Sequence, residues 1–454
     1  MSMATPPPTA GMSSAEAAAY IRAVLDVTIR VTEALFAGGA GAEDTVAAMQ
    51  AVSRAYGVKN VEADLTYSLI TLSWENPATF ETISHSRNVK YRTLDYARLT
   101  RATELISRIV DDPPPLEETR RTVAAIIGRK PMYPRWLRSI GWSLVGVGAA
   151  LLLGGGPLVA AASFLATLVI DLITSALQRR RVPVFYQSLA GGCVGPIAAA
   201  GAVLVDPSVN PSLVVVAAII MLLAGVTTFG AVHDTLSGFY VTGTARLVEA
   251  VLITAGLVAG VLASGLLLGR FGLDLKLDPA TGPSLEDVPM QLVAAAVIVA
   301  GFCLAAQVPR RSIWGLCVLG AVAELAYSAG VGAGIGIVFA SASAAVVVGL
   351  LAALAVRVVR VPPIVAVVAS LVPLVPGRIL FTGLMQLADS DLQGLLSVLA
   401  AAGVAGALAA GAILGQYLVQ ATMGPARSLQ RRFVGPLMAI SPRLARGRNR
   451  PRRR

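Results

Sequence analysis

The pattern of apolar and polar positions changes character part-way along the chain. Up to about residue 135 it has the short periods of a soluble fold, whereas from 139 to 420 apolar residues run on in stretches of about 20, the length a helix needs to cross a bilayer. In the first part, residues 1–13 (MSMATPPPTAGMS) are rich in Pro, Ser and Thr and are expected to be disordered. From Ser14 an apolar stripe at helical spacing continues to a stop at Gly38 and Gly39, and a second helix is expected over Ala42–Tyr56, before Gly57. Val58–Trp74 carries β-branched residues with partial alternation, which predicts two strands, and Val89–Leu94 reads as a third. Residues 96–110 and 116–128 return to helix on either side of the breaker DDPPP. The expectation is a small α+β domain over residues 14–130, long enough to bury its own core.

Cutting the remainder at its charged or Gly/Pro-rich breaks predicts an all-α bundle of ten transmembrane helices. The spans are 139–155, 157–177, 183–205, 210–230 and 243–269 in a first half, then 290–308, 312–330, 333–356, 362–387 and 395–420 in a second. Charge supports this cut. Arg135 and Arg138, Arg179 to Arg181, Arg246, Arg310 and Arg311, Arg357 and Arg360, and a basic tail over 421–454 all fall on one side, while the intervening loops hold only Arg270 and Lys276. By the positive-inside rule both termini and the first domain are cytoplasmic and the protein is a multi-pass component of the cell membrane. The first 30 residues lack the basic start, apolar run and small-residue cleavage site of a secretory signal, which agrees with a cytoplasmic first domain.

An internal repeat is also legible. RSIGWSLVGVGAA (138–150) resembles RSIWGLCVLGAVA (311–323), RRRVP (179–183) resembles RVVRVP (357–362), and VGPI (194–197) falls where LVPG (374–377) recurs. Spans one to three thus read like spans seven to nine, a parallel repeat because six spans separate the copies.

Composition narrows the class. The chain of 454 residues is 55% apolar and 14% charged, a balance that excludes a water-soluble fold of this size. The net charge of +11 is concentrated in SPRLARGRNRPRRR (441–454), and beside a membrane segment such a run fits anionic lipid better than nucleic acid. Cys193, Cys303 and Cys317 lie in apolar segments at spacings that fit neither disulfides nor zinc, so they read as packing residues. No metal or cofactor is implied. Oligomeric state, a homo-oligomer included, is left open.

Ionisable groups in lipid are expensive and so become functional candidates. Asp171 sits in span two, Glu324 near the middle of span seven, Arg378 in span nine and Glu249 one turn inside span five, where it could equally pair with Arg246. A buried carboxylate can take up and release a proton, as a proton-coupled carrier requires, or can merely bond a neighbouring helix. In span nine, Pro373 and Pro376 interrupt the helix before Gly377 and would free backbone groups beside Arg378, fit to hold the carboxylate and ammonium of an amino acid.

The connection HDTLSGFYVTGTARLVE (233–249) is short, Gly-rich and richer in side-chain chemistry than a turn needs. Together with GAEDTVAAMQAVSRAYGV in the first domain and LVPGRILFTGL in span nine, it resembles the threonine/serine exporter family over nearly the whole chain. The resemblance implies ten transmembrane helices, a cytoplasmic N-terminal domain, and export of threonine and serine driven by protons. It carries His233, Asp234, Ser237, Gly238, Thr242, Gly243, Arg246 and Glu249, with Pro376 and Gly377, over as site positions. The family's N-terminal domain has been compared with hydrolases, but His85, the one histidine of this domain, has no CxxC, HExxH or GxSxG around it and no Walker A motif exists. A non-enzymatic carrier is therefore expected, ahead of a membrane-anchored peptide hydrolase or a sensor whose soluble domain gates the bundle.

Overall fold

The computed structural model describes residues 12–422, apart from 78, 90–92, 223–224, 274–286 and 389–390. The expected disordered start up to residue 11 and the basic tail from 423 therefore lie outside the described residues. The first domain opens with α1 (Ser14–Ala37), set by a capping box in which the Ser13 hydroxyl accepts from the Glu16 amide and the Glu16 carboxylate accepts from the Ser13 amide at 2.9 Å. α2 (Ala42–Ala55) follows, then an antiparallel meander of β1 (Val61–Thr66), β2 (Leu69–Glu75) and β3 (Thr82–Asn88). α3 (Tyr96–Asp111) and α4 (Leu116–Gly128) close the domain. α1 is its centre, packed on α2, α3, α4 and the sheet, with Leu25, Leu35, Phe36, Met49, Ile70, Leu72 and Leu99 fully buried.

Of the expected 89–94, residues 90–92 lie outside the described residues and Val89, Thr93 and Leu94 are not in a strand; the third strand is TISHSRN (82–88). It is an edge strand that is nowhere fully buried, so its sequence carries polar residues on both faces and lacks the apolar alternation that marks a half-buried strand.

The bundle begins with α5 (Arg135–Leu152) and α6 (Pro157–Arg179). Next come α7 (Val184–Gly192) and α8 (Val194–Val205), which meet at Cys193, then α9 (Pro211–Ile219), α10 (Gly225–Leu236) and α11 (Tyr240–Arg270). The second half holds α12 (Val288–Ala305), α13 (Arg310–Gly332), α14 (Ile337–Val359), α15 (Pro363–Leu371), a 3-10 turn (Val372–Leu374), α16 (Gly377–Ala388) and α17 (Gln393–Thr422). Among the described residues seven helical stretches are long and apolar enough to cross a membrane, and eight if α15 and α16, bent by 50° at their break, are one span. The two expected spans not in that count are α5, which begins with Arg135 and Arg138, and the interrupted pair α9 and α10.

Helices approach closely where side chains are small. A Cβ added to Gly141 of α5 would meet the backbone of Gly301 and Ala305 of α12 at 2.7 Å, and one on Gly148 the backbone of Ala294 at 2.9 Å, so these two helices run antiparallel along a small-residue seam.

The repeat follows a different period from the expected one. α5 and α12 each have 18 residues, α6 and α13 each 23, α9 and α15 each 9, α10 and α16 each 12, and α11 and α17 have 31 and 30. From Pro157 to Arg310 the shift is 153, and from Pro211 to Pro363 it is 152. Residues 135–270 therefore recur as 288–422, and α5 corresponds to α12, not to α13. The likeness of RSIGW to RSIWG is that of any arginine-flanked, Gly/Ala-rich helix start entering lipid from one side.

Candidate functional site

The polar segment 233–249 is two helix ends and a tight turn. α10 ends in a Schellman motif: the Phe239 amide donates to the Asp234 carbonyl at 2.8 Å and the Gly238 amide to that of Thr235 at 3.1 Å, with Gly238 at φ +88. That backbone angle is why glycine stands at 238. Gly243 has a different reason, since any side chain there would run into the Thr235 side chain and the Ala231 carbonyl across the hairpin.

The side chains of this motif reach the first domain or neighbouring residues of α10 and α11. Asp234 Oδ1 accepts from the Ala42 amide at 2.9 Å, at the N-terminus of α2, where the helix dipole favours a carboxylate. The Ser237 hydroxyl donates to Glu43 at 2.7 Å. Thr242 Oγ1 accepts from the Tyr67 amide and donates to the Leu65 carbonyl, both at 3.0 Å, and so clamps the β1–β2 turn, where Tyr67 is left-handed at φ +53. Arg246 reaches back to Asp234 at 2.5 Å and lies 5.8 Å over the Phe36 ring. His233 packs against Phe229 and Gly41. Glu249 is within electrostatic reach of Arg246, but the arginine's ion pair is with Asp234.

The domain also grips the α12–α13 turn. The Tyr96 amide donates to Ala306 at 3.0 Å, the Tyr133 hydroxyl to Val308 at 2.7 Å, and the Tyr133 amide to Gln307 at 2.8 Å. Burial pushes the Tyr96 phenol well above its usual range and raises that of Tyr133 against the opposing Arg310, so both stay neutral in an apolar joint. Glu43 and Asp44 lie within electrostatic reach of Tyr417 near the end of α17.

The interrupted α15–α16 span is a second locality. Its break borders a cavity of about 310 Å³ between α10, α11, α15, α16 and α17, lined by Pro376 and Gly377 and otherwise apolar apart from Thr228 and Thr254. Arg378 and Glu324 both lie within electrostatic reach of Tyr327, so they belong near this break but do not line the cavity.

Asp171 is buried on α6 and accepts from the Ser139 hydroxyl of α5 at 2.6 Å. Glu324 is buried on α13 one turn from Ser328, which donates to Gln291 of α12 at 3.1 Å. Its Oε2 has no hydrogen-bond partner among the described residues. The structure thus groups His233, Asp234, Ser237, Gly238, Thr242, Gly243 and Arg246 at the domain joint, and Pro376 and Gly377 at the cavity. Asp171 stands apart from both groups, and Glu324 lies near the break but off the cavity wall.

Sequence reasoning missed the partners Ala42, Leu65, Tyr67 and Phe36, and the wall of the cavity. The acidic pair Glu43 and Asp44 opening α2 was the available signal for the joint; the alanines and valines of α17 gave none.

Apolar helices of spanning length, a broken span beside a part-open apolar cavity and a soluble domain clamped onto the bundle define a multi-pass membrane protein. Two family models match the chain in succession, "Putative threonine/serine exporter" over residues 26–268 and "Threonine/Serine exporter, ThrE" over 291–418. A "Probable threonine/serine exporter" of Mycobacterium tuberculosis (strain ATCC 25618 / H37Rv) is 31% identical over 88% of this chain and 77% of its own length. The "Threonine/serine exporter" of Corynebacterium glutamicum is 27% identical over 90% and 84%. No solved structure gives a significant match. The chain belongs to the threonine/serine exporter family.

Proposed function

We propose that this protein is a secondary carrier that exports threonine, serine and similar small hydroxylated amino acids through ten spans, with both termini cytoplasmic. The observation that carries this reading is the cavity at the α15–α16 break. At about 310 Å³ it is at the small end of ligand pockets, as suits an amino acid. The N-terminus of α16, whose Gly377 amide is already taken by the Val375 carbonyl at 2.7 Å, directs a favourable dipole at a carboxylate, while Thr228 and Thr254 supply hydroxyls to an otherwise apolar wall.

Coupling to the proton motive force falls to Asp171 and Glu324, the acidic side chains buried within spanning helices. The soluble domain holds the α10–α11 turn and, through it, the cavity-lining helices α10 and α11, so its role is to gate the bundle. The test is efflux of labelled amino acids from proteoliposomes, with and without an imposed pH gradient. Threonine and serine should move faster than larger or acidic amino acids and faster with the gradient. Equal flux for all, or none for threonine, would defeat the proposal.

A further inference from the structure

The two halves of the bundle match in more than helix length. The left-handed residues that end helices recur at the same shift, Gly154 with Gln307 and Arg181 with Gly334, each pair 153 apart. So do packing junctions. Thr167 stands against Gly146 and donates to the Ala218 carbonyl at 3.4 Å, while Gly320, 153 residues on, stands against Val299 and lies near the Ser370 carbonyl, the positions that shifts of 153 and 152 assign. Asp171 and Glu324 also become equivalent, each the fifteenth residue of a 23-residue helix and each buried.

The direction of the symmetry is fixed by α5 and α12. Gly141 meets Gly301 and Gly148 meets Ala294, and the shift of 153 exchanges these two contacts, since Gly141 corresponds to Ala294 and Gly148 to Gly301. Equivalent helices that cross antiparallel and swap their contacts are related by a two-fold axis, so the repeat is inverted.

The cavity breaks this symmetry. Thr228 and its equivalent Leu380 both line it, and so do Leu247 with Val398, Ala250 with Ala401 and Thr254 with Ala405 on α11 and α17, where the matching contacts of Gly243 and Gly394 set the shift at 151, so it lies against the axis. Phe229 lines it too, but the equivalent Phe381 is only 4% exposed, packed into a cluster with Val216 and Ile219. Those two residues are the equivalents of Val368 and Leu371, which line the cavity. Phe381 therefore fills the space where the image of the cavity would be.

Building on the carrier reading above, we propose that the bundle contains a second chamber for the same small zwitterion: the two-fold image of the cavity, filled here by Phe381 and vacated when Phe229 fills the first. The two halves exchange conformations, and the ligand faces one side of the membrane and then the other without the soluble domain having to move through the bilayer.

The test needs no substrate. In the full-length protein with Cys193, Cys303 and Cys317 replaced by alanine, F229C and F381C are reacted, singly and together, with a small membrane-impermeant thiol reagent applied from either face. Position 229 should label from one face and 381 from the other, and a bulky maleimide placed first at 229 should slow labelling at 381 by about tenfold or more. Labelling of both from the same face, an inert 381 in protein whose 229 reacts, or indifference of 381 to the maleimide would each overturn the proposal. If F381C does not accumulate, V216C reports the same chamber. A failed threonine flux assay would remove the substrate assignment and leave this labelling result to stand or fall by itself.

Discussion

The α10–α11 turn and the α15–α16 break are the two stretches of the bundle on which the family resemblance rests, and they are opposites in chemistry. The turn presents an aspartate, an arginine, a histidine and two hydroxyls, nearly all of them engaged with the first domain or with one another. The break offers prolines, a glycine and backbone, and has a cavity beside it. A dense set of polar side chains here marks a joint between domains, whereas the space we propose for the ligand is bounded by residues with almost no chemistry of their own. Buried polar groups demand partners, and at the turn the first domain supplies most of them, with His233 Nε2 and Arg246 Nε left without a hydrogen bond among the described residues.

If that contrast is right, filling the cavity should matter most. A401W places an indole in a packed interior with no other room for it and should reduce threonine flux to below about 2% of the parent, while the first domain keeps its protease resistance. The next largest effect belongs to the joint. D234A strands Arg246, only 8% exposed, and should weaken domain docking by about 3–5 kcal/mol, read by thermal unfolding and by proteolysis of the 61–75 hairpin. Removing both charges, D234A with R246M, should restore much of that loss.

D171N and E324Q stand between the two regions. Each should abolish proton-driven accumulation, a loss of about tenfold or more in the gradient reached, and leave exchange down a substrate gradient measurable. Should both variants still respond normally to an imposed pH gradient, neither carboxylate couples. The smallest effect is expected for T242V, which removes a donor and an acceptor from the β1–β2 turn and should cost about 1 kcal/mol of docking without changing flux by more than about twofold.

Helix positions were legible because lipid imposes a length, and each expected span overlaps helix among the described residues, seven or eight of these stretches being long and apolar enough to cross. The third strand was not, since TISHSRN lies at a sheet edge and carries no apolar face. The repeat was legible as a fact but misplaced, because arginine-flanked apolar starts look alike in every helix; helix lengths and the contacts of Gly141, Gly148 and Gly301 fix its period, and those depend on packing. Asp171 and Glu324 stood out as acidic groups in lipid, yet their equivalence follows only from the shift of 153. The joint was half visible, in the crowded chemistry of 233–249, but its partners lie some 175 to 195 residues away along the chain and no local pattern connects them.

The claim that the ligand sits at the break and not at the turn is tested most directly by substrate protection. Single cysteines at Thr254, in the cavity wall, and at Thr242, in the joint, are introduced into the otherwise cysteine-free chain and labelled with and without millimolar threonine. Threonine should slow labelling at 254 and leave 242 unchanged; protection at 242 with none at 254 would place the ligand at the joint and contradict the account.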